Sequence, residues 1–586
     1  MKKILSQLLP CFEHEVVAVD GTVIKDLSEI NQIPVSNLVF DSREVVSDSL
    51  FFALPGTHVD GNKYISEAIL AGANAVVYQG ELSSSNKEDI AKAIIKRTLQ
   101  NEFSENIVKF SPVLIRVKDS RYAMAPLSSC FYDNPSERMV VIGVTGTEGK
   151  SSTVSFIWQL LRACGKKAGF ISTVEYSLGG DAISNPQHQT TPEAPIIQHH
   201  LNQMLLNGCD YAVIETSSHG LSTKLNRCGN ILFDCGVFMN VTLEHLEFHK
   251  DFETYRSDKA NLFRALDKHN HTKTIQGEKR KINSIGIVNL EDVSAKYFAS
   301  VTSKQVYGFT TLGKAGKSAC DENQQNQLPD IPQNICYMTA KNIETSSTSL
   351  SFDVEACGKS VNQIYQNDKI EQIDQNQKAC FSVTASLPGA FNAYNLMASI
   401  IAVSSVTGLD FEDVASHISS LTSIKGRMTV VNEGQNFEVI VDYAHTPSSF
   451  ETIFPPVRKR CNKKLFCVFG SGGERDVTKR PLQGSIAARF CDVVVLADED
   501  PRGEDPVELL KEIAVGAEKE GKVMNKDLFI IHDRPKAIRE VFKMASEGDI
   551  VLLLGKSHEN SIIYKDYAMP YDEISEAKMA LKEILK

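Results

Sequence analysis

Residues 141–156 read VIGVTGTEGKSSTVSF. The apolar run up to Val144 has the character of a buried strand, and beyond the glycines Val154, Ile157, Trp158 and Leu161 recur at helical spacing. A strand, a glycine loop and a helix in succession aim backbone N–H groups and the positive end of a helix at a phosphate. The spacing is nevertheless irregular. The common pattern G-x-x-x-x-G-K-[ST] would need glycine at 144, where the chain carries Val144. Gly146, Gly149 and Lys150 remain to cradle an anion, and Glu148 places an acid among them.

At 586 residues the chain exceeds one ordinary core, and about 100–200 residues per domain implies about three or four domains. Apolar residues at 42% and charged residues at 23% are those of a soluble globular protein. A net charge of −11 argues against a general nucleic-acid binder. Thirteen cysteines without a CxxC pair fit reduced thiols, with Cys228 and Cys235 read as small core residues. Glu13, His14 and Glu15 interrupt the N-terminus too early for a signal peptide, and no apolar run reaches the roughly 18–20 residues of a membrane span. A cytoplasmic, soluble protein without membrane insertion is expected.

The pattern divides the chain into an α/β unit over 1–134, a second over 135–425 that opens on MVVIGV, and a third over 426–586. In the second, DYAVIET and FDCGVFMNV are strands that end in polar residues. In the third, FEVIVDYAHTP, KLFCVFGSGGERD, DVVVLADEDPRGEDP and DIVLLLGKSHE each run from an apolar strand into a polar loop, the signature of a doubly wound, Rossmann-like α/β domain. Three polar stretches, from Lys268, Gly316 and Asn362, are non-periodic and read as surface loops or disorder.

GTEGKSS, ETSSHGLS, GVFMNVTLEHLEFH, YRSDKANLF, GAFNAYNL, KGRMTVV, VDYAHTP, GSGGERDVTKRP, DEDPRGEDP and GKSHE occur in the order found in Mur ligases, and the chain resembles the MurE branch of that family. The likeness also takes in DSREVVSDSLFFALPGTHVDG and excludes mainly the three polar stretches. It implies a three-domain α/β architecture: a UDP-substrate domain, a central P-loop ATPase domain and a C-terminal domain that admits an amino acid. The family's phosphate loop, G-T-N-G-K-T-T, is shorter than the common one, which accounts for Val144. The implied activity is an ATP-dependent ligase of peptidoglycan precursor synthesis. It would activate the D-Glu carboxylate of UDP-MurNAc-L-Ala-D-Glu as an acyl phosphate and join it to a diamino acid, with ATP and Mg2+ required and a monomeric state expected.

Residue by residue, the resemblance implies that Gly146, Thr147, Glu148, Gly149, Lys150, Ser151 and Ser152 hold the phosphates, with Lys150 at the β- and γ-phosphates. Ser151, Glu215 and Lys259 would serve magnesium, Lys259 as N6-carboxylysine, and hydroxyl and carboxylate oxygens suit that hard cation. Asn240 and His245 would lie in the ATP and magnesium surroundings, and Asn392, Asn395, Arg427, Asp442 and His445 around the nucleotide. His245 and His249, four apart, also fit two ligands of a zinc site, but no third ligand accompanies them. For the UDP end the matching residues are Ser42, Thr57 and His58, and for the muramoyl dipeptide Thr190, Thr191, Ser217 and Arg227, although STKLNR departs from the family pattern around Arg227. Glu148 stands where Asn is usual and is expected to point outward, away from the phosphates.

The incoming amino acid would meet Arg475, Glu499, Asp500, Pro501, Arg502, Gly555 and Glu559. Relatives that add diaminopimelate read D-N-P-R, whose arginine binds a distal carboxylate. This chain keeps Arg502 but has Glu499 and Asp500 before it and Ser557 in place of a glycine. The extra acid favours a terminal ammonium and Arg502 a carboxylate, so diaminopimelate, lysine and ornithine all stand open. Another superfamily amide ligase, of folylpolyglutamate or cyanophycin synthetase type, is opposed by the UDP-type N-terminal region and DPRGE. A non-catalytic P-loop ATP-binding regulator is opposed by the presence of Glu215 and Lys259.

Overall fold

The computed structural model describes residues 1–56, 60–102, 111–186, 189–242, 246–312, 335–346, 348–361 and 378–585. Three large sheets follow one another along the chain. In the first, the strands run in the order Glu15–Val17, Val113–Val117, Ala73–Gln79, Ser49–Phe52, Asn37–Val39, all parallel except the first. SLFF shows why it is buried on both faces. Alternation sends Leu50 and Phe52 to one core and Phe51 to the other, and all three are shielded from solvent.

The central sheet is the largest. Parallel strands Ala168–Ile171, Tyr211–Glu215, Val140–Thr145, Cys235–Phe238, Ile285–Asn289, Gln305–Thr310 and Cys336–Thr345 lie side by side, and Leu350–Cys357 and Lys378–Ala385 continue it antiparallel. Val140, Ile142 and Val144 face the helices Lys150–Ala163 and Asn392–Thr407, whereas Val141 faces the opposite core with Ile214 and Phe263. The strand Val140–Thr145 sits between Tyr211–Glu215 and Cys235–Phe238. Its carboxyl end therefore opens where the order of connections reverses, the place where such sheets bind ligands.

The third sheet has the order Thr429–Val431, Glu438–Asp442, Ile550–Leu554, Leu465–Phe469, Val493–Leu496, Leu528–Ile530, parallel after the first pair. Ile440, Cys467, Val494 and Leu552 fill one core, and Val439, Val441, Phe466 and Leu553 the other. Both faces being apolar, the polar residues of each unit collect in the loops at the strand ends.

Two expectations fail. The stretch from Lys268 is no disordered loop: Thr272–Ile275 and Glu278–Lys281 form a hairpin. Alternation turns Lys273 and Ile275 inward, and Lys273 pairs with the fully buried Asp234 at 2.9 Å while donating to the carbonyls of Ser136 and Leu232. His271 bridges Asp234 and the Leu266 carbonyl at 3.0 and 2.7 Å. His269, which burial pushes down to about 4, uses Nε2 to donate to the Phe233 carbonyl. Asp234, His269 and His271 are thus saturated by protein partners, although their spacing would suit a cation. The polar composition hid a buried ion pair. The expectation of reduced thiols also fails at Cys11 and Cys130, which are disulfide-bonded, whereas Cys228 and Cys235 are buried in the core as expected. The stretches from Gly316 and Asn362 lie outside the described residues.

Removing one partner of a buried pair strands the other charge. Lys273→Met should lower unfolding free energy by about 3–5 kcal/mol, read as a lower denaturant midpoint; an unchanged midpoint would show that the hairpin is not anchored by this pair.

Candidate active site

Gly149 takes a positive φ of 81° to turn the chain into the helix Lys150–Ala163, and a side chain there would meet Asn395 Oδ1 at 2.7 Å. Glycine is required on both counts. Asn240, just past the strand Cys235–Phe238, clamps the loop. Its Oδ1 accepts from the N–H groups of Thr147 and Glu148 at 3.1 and 2.8 Å, and its Nδ2 donates to the Glu148 carbonyl at 3.2 Å. The Thr147 hydroxyl accepts from Thr242 N at 3.0 Å and meets Tyr255 Oη at 3.1 Å. Lys150 Nζ donates to the Thr147 carbonyl at 2.7 Å.

Glu215 ends the neighbouring strand and is 1% exposed. Its Oε1 accepts from the Ser151 hydroxyl at 3.0 Å, its Oε2 from the Ser172 hydroxyl and Thr173 N–H at 2.7 and 2.9 Å. A buried carboxylate beside a hydroxyl, at a loop built for phosphate, is the oxygen donor set that magnesium takes. Lys259, buried on the helix Phe252–Leu266, donates to the Gly146 carbonyl at 2.6 Å and lies 4.6 Å from the Tyr255 ring centre. Ser151, Glu215 and Lys259 are thereby brought to one loop.

Two cavities meet there. One, of about 350 Å³, is lined by residues 147–152 with Asn240, Asn289, Tyr394, Asn395, Arg427 and Asp442. The other, of about 580 Å³, runs from Glu148, Lys150, Glu215 and Lys259 past Thr190, Ser217 and His445 to Arg475, Lys479, Glu499, Asp500, Arg502 and Glu559. Arg427 spans both; its guanidinium reaches the Ser151 hydroxyl at 3.4 Å and stacks 4.9 Å from the Tyr443 ring centre. Asp442 accepts from the N–H groups of Met428 and Ala444 at 2.7 and 2.8 Å, and burial raises its pKa against the pull of Arg427.

Matches to three family models cover this arrangement in order: Mur ligase family, catalytic domain, over 34–132; Mur ligase middle domain over 144–403; and Mur ligase, glutamate ligase domain, over 426–557. The chain belongs to the Mur ligase family. The UDP-N-acetylmuramyl-tripeptide synthetase of Treponema denticola is 46% identical over 563 residues, 93% of this chain and 94% of the relative. The UDP-N-acetylmuramoyl-L-alanyl-D-glutamate–2,6-diaminopimelate ligase of Geobacillus kaustophilus is 34% identical over 548 residues, 93% and 94% of the two chains. In fold, the chain is similar to a solved 2,6-diaminopimelate ligase (TM-score 0.56, 22% identity, 100% of both chains) and to MurF ligase from Thermotoga maritima with ADP (TM-score 0.56, 18% identity, 96% and 99%).

Other sequence-selected residues separate into groups. Asn395 lines the smaller cavity, but its amide is engaged by Thr153 and Asn392, and Asn392 turns to the Pro388 carbonyl. These two support the smaller cavity from behind. Thr191 is a brace, accepting from Ser217 N and donating to the Glu215 carbonyl, both at 2.9 Å. Ser217 caps the short helix Ser218–Leu221. Arg227 pairs with Glu193 at 2.8 Å and donates to the Thr191 carbonyl, outside the lining of either cavity. His445 lines the larger cavity and not the smaller. Ser42 begins a helical turn in the first domain. Thr57, His58 and His245 lie outside the described residues. His249 is a packed relay, 2.9 Å from Asp258 Oδ2 and 3.0 Å from the Ser218 hydroxyl.

Sequence reasoning missed Lys479, Tyr255 and Lys556. Lys479 stood in the quoted GSGGERDVTKRP, and its cavity position is set by the helix Lys479–Phe490. Lys556, fully buried, pairs with Asp500 at 2.7 Å and with Glu559. Asp500 also accepts from Ile563 N at 2.9 Å. Gly555, at φ 97°, would bring a side chain to 2.7 Å from the Glu499 carboxylate, and a side chain at Gly473 would collide with the Pro501 carbonyl.

Burial lifts the Glu499 carboxyl to about 7, Lys479 opposing the rise and Glu559 adding to it. Between the unfolded value of about 4.3 and that value the native chain keeps a proton that the unfolded chain has lost, so stability falls as pH rises through this window. Glu499→Gln should therefore raise the melting temperature at pH 8, with parent and variant converging near pH 4; equal melting temperatures at pH 8 would refute the shift.

Proposed function

We propose that this Mur ligase adds a diamino acid to the D-Glu carboxylate of UDP-MurNAc-L-Ala-D-Glu in an ATP-dependent step of peptidoglycan precursor synthesis in the cytoplasm, acting as a monomer. The observation that carries the reading is the junction of the two cavities at Glu148, Lys150 and Arg427. One is large enough for a nucleotide, the other for an acceptor and an amine, and their junction is where a phosphoryl group would pass. Among the described residues no helix is long and apolar enough to cross a membrane. The inferred division of labour is UDP substrate on residues 1–134, ATP on 135–425 and the amino acid on 426–586.

In this reading the N–H groups and Lys150 of the phosphate loop receive the β- and γ-phosphates, and Arg427 bears on the transferring group. Ser151 and Glu215 hold magnesium, which supplies charge neutralisation for the phosphoryl transfer. Lys259 is buried at the same loop and fits the carbamate the family uses, an oxygen donor in place of an ammonium. The acceptor carboxylate, held from the side of Thr190 and Ser217, attacks the γ-phosphorus, and the bond to the β,γ-bridging oxygen breaks to release ADP and leave an acyl phosphate. The amine enters past Arg475 and Arg502 and displaces phosphate.

The far wall supports one answer to the charge question that the sequence leaves open. Lys556 offsets one of the two charges of Asp500 and Glu559, so Arg475, Lys479 and Arg502 face the cavity against the remaining charge of that pair and against Glu499, whose carboxyl burial lifts to about 7. At about 4 Å a unit charge is worth roughly 4 kcal/mol at an effective dielectric of 20. That balance favours a side chain with a distal carboxylate, diaminopimelate, over lysine or ornithine.

Purified protein given ATP, magnesium and UDP-MurNAc-L-Ala-D-Glu should release phosphate with diaminopimelate at the highest kcat/KM; no release with any of the three diamino acids would reject the ligase reading. Lys259→Ala should lose about 100-fold or more in kcat, with partial recovery on adding short-chain carboxylates. Full activity of the unsupplemented variant would remove the carbamate.

A further inference from the structure

Glu148 is the residue the family pattern does not explain. Its backbone is fixed on both sides by Asn240, so the direction of its side chain is set by the loop. The carboxylate does not turn to open solvent. Its Oε1 accepts a hydrogen bond of 3.1 Å from the Thr446 hydroxyl, across the boundary between the central and C-terminal sheets.

Thr446 is the N-cap of the helix Pro447–Arg460, its hydroxyl accepting from Ser449 N at 3.1 Å. A carboxylate at that end meets the positive pole of a helix 14 residues long, which draws it away from the phosphate loop. A second thread runs alongside: the Thr242 hydroxyl donates to Ser448 Oγ at 3.3 Å, and Ser448 and Thr446 hydroxyls are 3.1 Å apart. Glu148 also lines both cavities, so the contact lies where nucleotide and acceptor chambers join.

We propose that Glu148 is a positioning residue that couples the phosphate loop to the C-terminal domain: through Thr446 it latches the two sheets in their observed arrangement and holds its own charge aside from the triphosphate. An asparagine keeps an acceptor atom but loses the attraction to the helix end. The acid thus ties the two domains together in a position where charge alone would oppose the ligand. The inference rests on the nucleotide reading of the smaller cavity, and its test reads binding and domain spacing separately from ligation.

The full-length chain and its Glu148→Ala, Thr446→Val, Thr446→Ser and Glu148→Ala/Thr446→Val variants are compared by calorimetric affinity for a non-hydrolysable ATP analogue with magnesium, by X-ray scattering radius with the analogue bound, and by kcat. Glu148→Ala and Thr446→Val should each widen the bound-state radius and lower kcat about 10-fold, with nucleotide Kd changed less than about 3-fold and the double variant no worse than the worse single. Thr446→Ser, which keeps the hydroxyl and the cap, should match the parent and separate loss of the latch from loss of helix stability. A Glu148→Ala variant that binds the analogue about 10-fold tighter with an unchanged radius would place the carboxylate against the phosphates and overturn the proposal. A raised magnesium requirement in that variant would make Glu148 a metal ligand instead, and losses that multiply in the double variant would make the two residues independent; either result overturns the latch. Failure of the parent to bind the analogue would strike the nucleotide reading itself.

Discussion

The site is organised by the grip of one amide on the phosphate loop. The loop carries Val144 where the longer pattern has its outer glycine, and Asn240 restrains its shape from a neighbouring strand. Because Asn240 follows Phe238 in the sheet, the loop's shape is tied to strand register. That register continues through Val144 and Val237 into the same core. The three part-buried hydrogen bonds of one side chain hold both the N–H and the carbonyl of Glu148 and the N–H of Thr147.

The same economy governs the joint between central and C-terminal sheets. Arg427 follows Gly426, whose carbonyl accepts from the Ser557 hydroxyl, and its guanidinium reaches back to Ser151. Asp442, at the end of the strand Glu438–Asp442, pins the Met428 and Ala444 N–H groups on either side of that arginine. A strand end, a linker and the GKSHE loop therefore position one cation. Ser557 takes the place of the family's glycine and uses its hydroxyl to join loop and linker, at a backbone φ of 45° that glycine adopts more easily.

Much of this was legible in the sequence because strands buried on both faces read as continuous apolar runs and the residues after them carry the chemistry. VIGVT, YAVIE and VVVL each became a central strand, and Lys150, Ser151, Glu215 and Lys259 converge at the end of the first. What escaped was pairing across long separations. Lys273 looked like one more polar residue in a polar insertion, since nothing local shows that Asp234 waits for it. Asn392 and Asn395 sat in the right motif, yet their amides serve Pro388, Thr153 and each other. A motif gives the neighbourhood of a side chain, and the packing decides which atom it faces.

Asp500 makes the same point for charge. In the sequence it is an added acid beside Arg502, and counting it as such makes the amino-acid pocket attractive to an ammonium. In the fold one of its oxygens is shared between Lys556 and the Ile563 N–H, and Lys556 is also held by Glu559. An acid so engaged has spent its field on the protein, because a buried opposite charge at hydrogen-bond distance cancels most of what would reach a ligand farther off. Glu499 is removed by another route, burial that favours its neutral form. Two acids that make the motif look hostile to a second carboxylate are therefore weakened, and Arg475, Lys479 and Arg502 outweigh the acids that remain at the cavity wall. The charge of this wall depends on Lys556, fifty-six residues along the chain from the Asp500 that it pairs with.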